Sequence, residues 1–133
     1  LPVGFSFTSF LADKMIEGKS VGLTSTEIEK LVFRFGVNVE TIFVIIKKLN
    51  IENVTSDLPI IIKAQLLYVI AHEMCLTPAD FFIRRTGMLY FDIANLKKLR
   101  VPVINFMKDQ QLWDDSLVER FNNELLTAIH DVE

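Results

Sequence analysis

The sequence predicts an all-α fold, a single compact bundle of about six or seven helices, and three observations predict it. Apolar residues recur three and four positions apart through most of the chain, the spacing that lines one face of a helix. The segments carrying this period open on Thr, Asn or Asp and several stop at Gly, the residues that satisfy free helix ends. Half of the residues are apolar and eleven are Phe, material for a packed core rather than a disordered chain.

Phe7, Phe10, Leu11 and Met15 predict a short amphipathic helix over 7–17, and Gly18 to Gly22 then read as a linker. The chain accordingly divides into an N-terminal helical segment with its linker, residues 1–24, and a helical domain over 25–133. Thr24 with Glu27 spells a capping box, opening a helix through Ile28, Leu31, Val32 and Phe35 that Gly36 ends. Asn38 is placed to cap the next helix, whose apolar positions are Val39, Ile42, Phe43, Ile45, Ile46 and Leu49. Lys47 and Lys48 read as its last turn, where positive charge suits the helix dipole. Its Val and Ile content also suits a strand, but its length and caps favour helix.

Asn53 to Pro59 is a loop, and Ile60 to Ile62 fit either a brief extended piece or the entry to a helix. From Lys63 onward Leu66, Leu67, Val69, Ile70 and Met74 leave little polar surface, so this helix is expected at the centre of the bundle. A corner helix follows from Pro78 towards Tyr90, weakened by Gly87. Asp92 or Asn95 starts another that runs to about Lys108, kinked or split by Pro102. Asp114 caps the last helix, whose Leu117, Val118, Phe121, Leu125, Ala128 and Ile129 share a face.

A length of 133 residues is one domain's worth and long enough to bury a core. A net charge of -3 without a basic stripe argues against a nucleic-acid partner. Cys75 is the single cysteine, which excludes an internal disulfide and fits a reducing cytosol. No apolar run approaches the ~18 to 20 residues of a membrane span. The opening LPVGFSF lacks the basic start of a signal peptide, and a chain beginning on Leu1 looks like an excised segment.

The stretch around which the chain is organised is residues 72–87, HEMCLTPADFFIRRTG. Thr77, Pro78 and Asp80 write a helix start: a hydroxyl acceptor, a residue pre-set for the first turn, and an acid near the positive helix end. His72 and Glu73 have the opening of a zinc-protease motif, but the fifth position is Leu76, so the second metal ligand is missing and no metal site is predicted. Cys75 near His72 reads as a core thiol rather than a reactive pair, and Phe81, Phe82, Tyr90 and Phe91 read as packing rather than a cofactor pocket. No catalytic constellation is present. Arg84 and Arg85 stand out. Adjacent helical residues diverge by ~100°, so the two guanidiniums should not serve one local partner. One arginine is expected to turn inward to Glu73 and the other to face a partner surface. A buried bidentate contact of that kind would make Glu73→Ala cost about 3 to 5 kcal/mol. Glu73, Thr77, Asp80, Arg84 and Arg85 are therefore the candidate structural or interface residues.

This stretch, with MLYFDI after it and then PVINFM and an LWDD turn, resembles the carboxy-terminal domain of the FAD-dependent glycerol-3-phosphate dehydrogenase and oxidase family. It looks closest to the bacterial alpha-glycerophosphate oxidases, over roughly residues 26–133 and less securely before that. Cys75 stands where a small Ala is expected. The family's flavin domain and its Gly-rich fingerprint are not in this chain. The resemblance implies a parent enzyme that uses FAD to oxidise sn-glycerol 3-phosphate to dihydroxyacetone phosphate, with oxygen reduced to hydrogen peroxide in the oxidase branch and a membrane quinone reduced in the dehydrogenase branch. DFFIRRTG and the stretch before Thr24 look more like the oxidase. For this segment it implies a non-catalytic domain that holds no flavin. That domain would pack on its own flavin and substrate domain in a cytoplasmic protein, with a homo-oligomer or membrane-surface contact compatible with it. The alternative is an independent helical interaction module with a protein partner of its own.

Overall fold

The computed structural model describes residues 6–53, 56–74 and 77–133; Cys75 and Leu76, and the readings that involve them, lie outside the described residues. Seven α-helices, a 3-10 turn and a π-helical segment occupy most of the described chain, which holds no strand. The all-α class read from the sequence is the one found. The helices fall into two compact units, residues 1–55 and 56–133.

The first unit holds α1 (Phe7–Ser20), α2 (Ser25–Phe35), a 3-10 turn (Gly36–Asn38) and α3 (Val39–Glu52). The expected linker is mostly helix. α1 runs to Ser20 because Gly18 is buried there: a Cβ on it would lie 2.5 Å from Ile28 Cγ1, so the missing side chain is what lets α1 approach α2. The turn is confined to Val21–Leu23, whose amides donate to the carbonyls of Gly18 and Lys19. The capping box forms as read, with Thr24 N donating to Glu27 Oε1 at 2.9 Å and Glu27 N to Thr24 Oγ1 at 3.2 Å. Gly36 ends α2 at φ +57°. Asn38 does not cap α3 with its side chain: the 3-10 turn already holds its backbone in the helical region, where cap geometry is lost. α3 continues to Glu52, so Lys47 and Lys48 lie before its last turn. Ile28, Leu31, Val32, Phe35, Val39, Ile42, Phe43 and Ile46 make the core.

Sequence reading missed Lys14, which is buried on α1. Its ammonium donates to Glu40 on α3 and, at 3.2 and 3.1 Å, to both carboxylate oxygens of Glu17. Desolvation, the largest influence, pulls its pKa down, but the hydrogen bonds and charges of the two glutamates together outweigh it and hold the pKa above the ordinary lysine value.

The second unit begins with α4 (Ile60–His72), so Ile60 to Ile62 enter a helix. Ile62, Ala64, Gln65, Leu66, Tyr68 and Val69 are buried along it. The corner helix expected from Pro78 to Tyr90 is broken into a π-helical segment (Asp80–Arg85) and a short α5 (Met88–Phe91). The break falls at Gly87, whose φ of +68° no helix contains. Asp92 caps α6 (Ile93–Gln111), accepting from Asn95 N, and Pro102 lies within that helix without splitting it. Asp114 caps α7 (Asp115–Val132), accepting from Leu117 N at 2.8 Å. The ion pairs Lys97–Glu133 at 2.8 Å and Lys108–Asp115 at 3.0 Å tie α6 to the two ends of α7. Phe81 and Phe82, fully buried and packed edge to face, join Leu96, Val103, Met107 and Leu125 in the core.

Candidate functional site: the arginine corner

The corner between α4 and α5 is built on a hydroxyl and a widened turn. Thr77 Oγ1 accepts from Asp80 N at 3.0 Å, which starts the segment. The segment then closes with bonds that reach five residues back, as Thr86 N donating to Phe81 O at 2.9 Å shows. Thr86 itself, given no role from sequence, bridges to the next helix: its hydroxyl oxygen accepts from Met88 N at 3.2 Å and lies 3.4 Å from Phe82 O.

Arg85 is the arginine that turns to Glu73. Its Nη1 donates to Glu73 Oε1 at 3.1 Å and its Nη2 to the Glu73 backbone carbonyl at 3.0 Å. The fork therefore grips one carboxylate oxygen and the end of α4, rather than both oxygens of the carboxylate. Both side chains keep about a third of their surface, 33% for Arg85 and 30% for Glu73, so this contact is half-buried. Arg84 points outward with its side chain 81% exposed.

One expectation fails at Asp80. Arg84 Nε lies 3.9 Å from Asp80 Oδ1 and Arg85 Nε 3.5 Å from Asp80 Oδ2, so the two adjacent arginines do share a local partner. The reason is the π-helical segment. Its turn is wider than an α-turn, so the residues four and five after Asp80 flank it on either side, where an α-helix would carry the second one away. The result is a row of alternating charges, Glu73, Arg85, Asp80 and Arg84, that ends on an exposed cation. Arg85 Nε is buried and makes no hydrogen bond, since its contact with Asp80 is one of charge without hydrogen-bond geometry.

Beside this row lies a cleft of about 480 Å³ lined by Met74, Thr77, Ala79, Asp80, Ile83, Arg84, Arg85 and Glu124. Glu124 comes from α7, distant from the corner along the chain, and no local pattern points to it. Met74 has a left-handed backbone at φ +52° and is 75% exposed, neither of which its place at the end of an apolar helix suggests. The arrangement fixes a turn and presents a guanidinium. Among the described residues no group of three or more His, Cys, Asp or Glu side chains is placed to hold a metal ion. No described helix is long and apolar enough to cross a membrane.

The family described as the C-terminal domain of alpha-glycerophosphate oxidase matches residues 7–118, most of the chain. The chain belongs to that family. It is 37% identical over 123 residues to the aerobic glycerol-3-phosphate dehydrogenase of Bacillus subtilis, covering 92% of this chain and 22% of that protein. It is 31% identical to the enzyme of the same name from Staphylococcus haemolyticus, covering 95% of this chain and 22% of the relative. Among solved structures, the glycerol-3-phosphate dehydrogenase of Bacillus halodurans complexed with FAD superposes with a TM-score of 0.85 at 32% identity, over 92% of this chain and 25% of that one. The chain thus spans about a quarter or less of the length of the relatives it matches.

Proposed function

We propose that the chain is the C-terminal, non-catalytic helical domain of an FAD-dependent enzyme that oxidises sn-glycerol 3-phosphate to dihydroxyacetone phosphate. The observation that carries this reading is the extent of the match: nearly all of this chain aligns with relatives that it covers by 22%. The residues here do not make a dinucleotide cradle. The chain's five glycines fall at 4, 18, 22, 36 and 87, so no Gly-rich turn of the fingerprint spacing exists. Flavin and substrate then belong to the remaining part of the polypeptide, in a cytoplasmic protein.

The relatives at 37% and 31% identity are called dehydrogenases, which favours an acceptor other than oxygen, with a quinone at the membrane surface as the natural one. The name of the matching family favours the second reading, an oxidase that makes hydrogen peroxide. Purification of the full-length polypeptide tests both. Bound flavin should bleach on anaerobic addition of sn-glycerol 3-phosphate, and reoxidation by a soluble quinone analogue should outpace reoxidation by oxygen. Stoichiometric peroxide at full turnover selects the oxidase. A colourless preparation inert to glycerol 3-phosphate would leave the independent interaction module as the better reading.

A further inference from the structure

We infer that the face around Arg84 is the surface by which this domain is held to the flavin-bearing remainder of the same polypeptide, with Arg84 receiving a carboxylate from that part. The inference rests on the reading that the chain is one domain of a larger flavoprotein, and adds which surface makes the contact. The charge row ends on Arg84, whose side chain is 81% exposed and has, among the described residues, only Asp80 within reach, at 3.9 Å. Asp80 is also engaged by Arg85 at 3.5 Å, so Arg84 is left with half a partner and a fork able to take a bidentate acceptor.

Apolar surface lies beside it. Met74, 75% exposed and held outward by a left-handed backbone, lines the same 480 Å³ cleft as Ile83 and Arg84. Met and Arg are the residue types that interface cores favour over ordinary surface. The widened turn that sets Arg84 outward is a rare backbone form, and such turns recur at functional sites. The occupant follows from length and tethering. The chain accounts for 25% of the matched flavoprotein, and a neighbour on the same polypeptide is present at an effective concentration of order millimolar, so it fills such a surface before a free partner does.

The test uses the full-length holoenzyme treated with the arginine reagent phenylglyoxal, with modification at each arginine followed by mass spectrometry. Arg120, exposed on α7 and outside the cleft, is the internal standard. Arg84 is expected to react about tenfold more slowly than Arg120, because it is reached only when the contact opens. In a second measurement, Arg84→Glu should speed tryptic separation of this domain from the flavin domain several-fold, while Lys98→Glu, the same charge change on the exposed side of α6, should not. Arg84 reacting as fast as Arg120, or Arg84→Glu cleaved no faster than Lys98→Glu, overturns the inference. Protection lost on dilution assigns the face to a second copy, and protection that needs anionic vesicles assigns it to lipid; either also overturns it. Flavin content and turnover of glycerol 3-phosphate, measured on the same preparation, report separately on the flavoprotein reading.

Discussion

Removing the Glu73 side chain measures what the arginine corner contributes. In Glu73→Ala, Arg85 loses one charge-assisted bond of 3.1 Å but keeps the Glu73 backbone carbonyl at 3.0 Å and the Asp80 carboxylate at 3.5 Å. At 3.1 Å the gross attraction is about 5 kcal/mol with an effective dielectric constant near 20, and about 1 kcal/mol in water. Both groups retain about a third of their exposure, so water screens the pair and solvates the stranded guanidinium. The net loss should therefore be about 1 to 2 kcal/mol, below the 3 to 5 kcal/mol of a fully buried pair. Arg85→Ala should cost more, about 2 to 3 kcal/mol, since it releases Glu73, Asp80 and the α4 carbonyl together. Urea unfolding followed by circular dichroism reads both. A Glu73→Ala loss below about 0.3 kcal/mol, or Arg85→Ala costing no more than Glu73→Ala, would refute the reasoning that this fork fastens the corner.

Gly18→Ala should lower the thermal midpoint despite alanine's better helix propensity, because the new methyl meets Ile28 at 2.5 and 2.7 Å and overpacking costs about 1 to 3 kcal/mol. Thr24→Ala removes the hydroxyl that accepts from Glu27 N, while the backbone N–H at 24 can still donate to Glu27 Oε1, and should cost about 1 kcal/mol in the same scan. Because the Lys14 pKa is raised on folding, the stability from its pairing is fully present below the unfolded lysine pKa and is lost as pH rises through the folded one. Urea midpoints should thus fall in strongly alkaline buffer, and Lys14→Met should remove that part of the fall.

Much of the chain's punctuation was legible because it is local. The Thr24 and Asp114 caps and the Gly36 and Gly87 breaks act on backbone within four residues, so the sequence around each suffices to read them. Gly18 was misread for the complementary reason: a glycine reads locally as flexible, and only Ile28, brought against it by the packing of α1 on α2, makes it a helix residue. The corner divides the same way. That Glu73 would take one of the two arginines across it followed from their charges and the turn between them. Which arginine took Glu73, and that both would flank Asp80, depended on the turn being a π-turn, which no residue in DFFIRR demands.

What the amino-acid order determined by itself was the helical class, the sites where most helices start and stop, and the family. Those depend on periodicity, caps and a motif, each contained in a short window. Only the tertiary structure decided the length of α1, the burial of Lys14, the width of the turn at Asp80 and the arrival of Glu124 at the cleft. The length of α1, the burial of Lys14 and the arrival of Glu124 depend on groups from different helices, whose contacts exist only once the helices have packed.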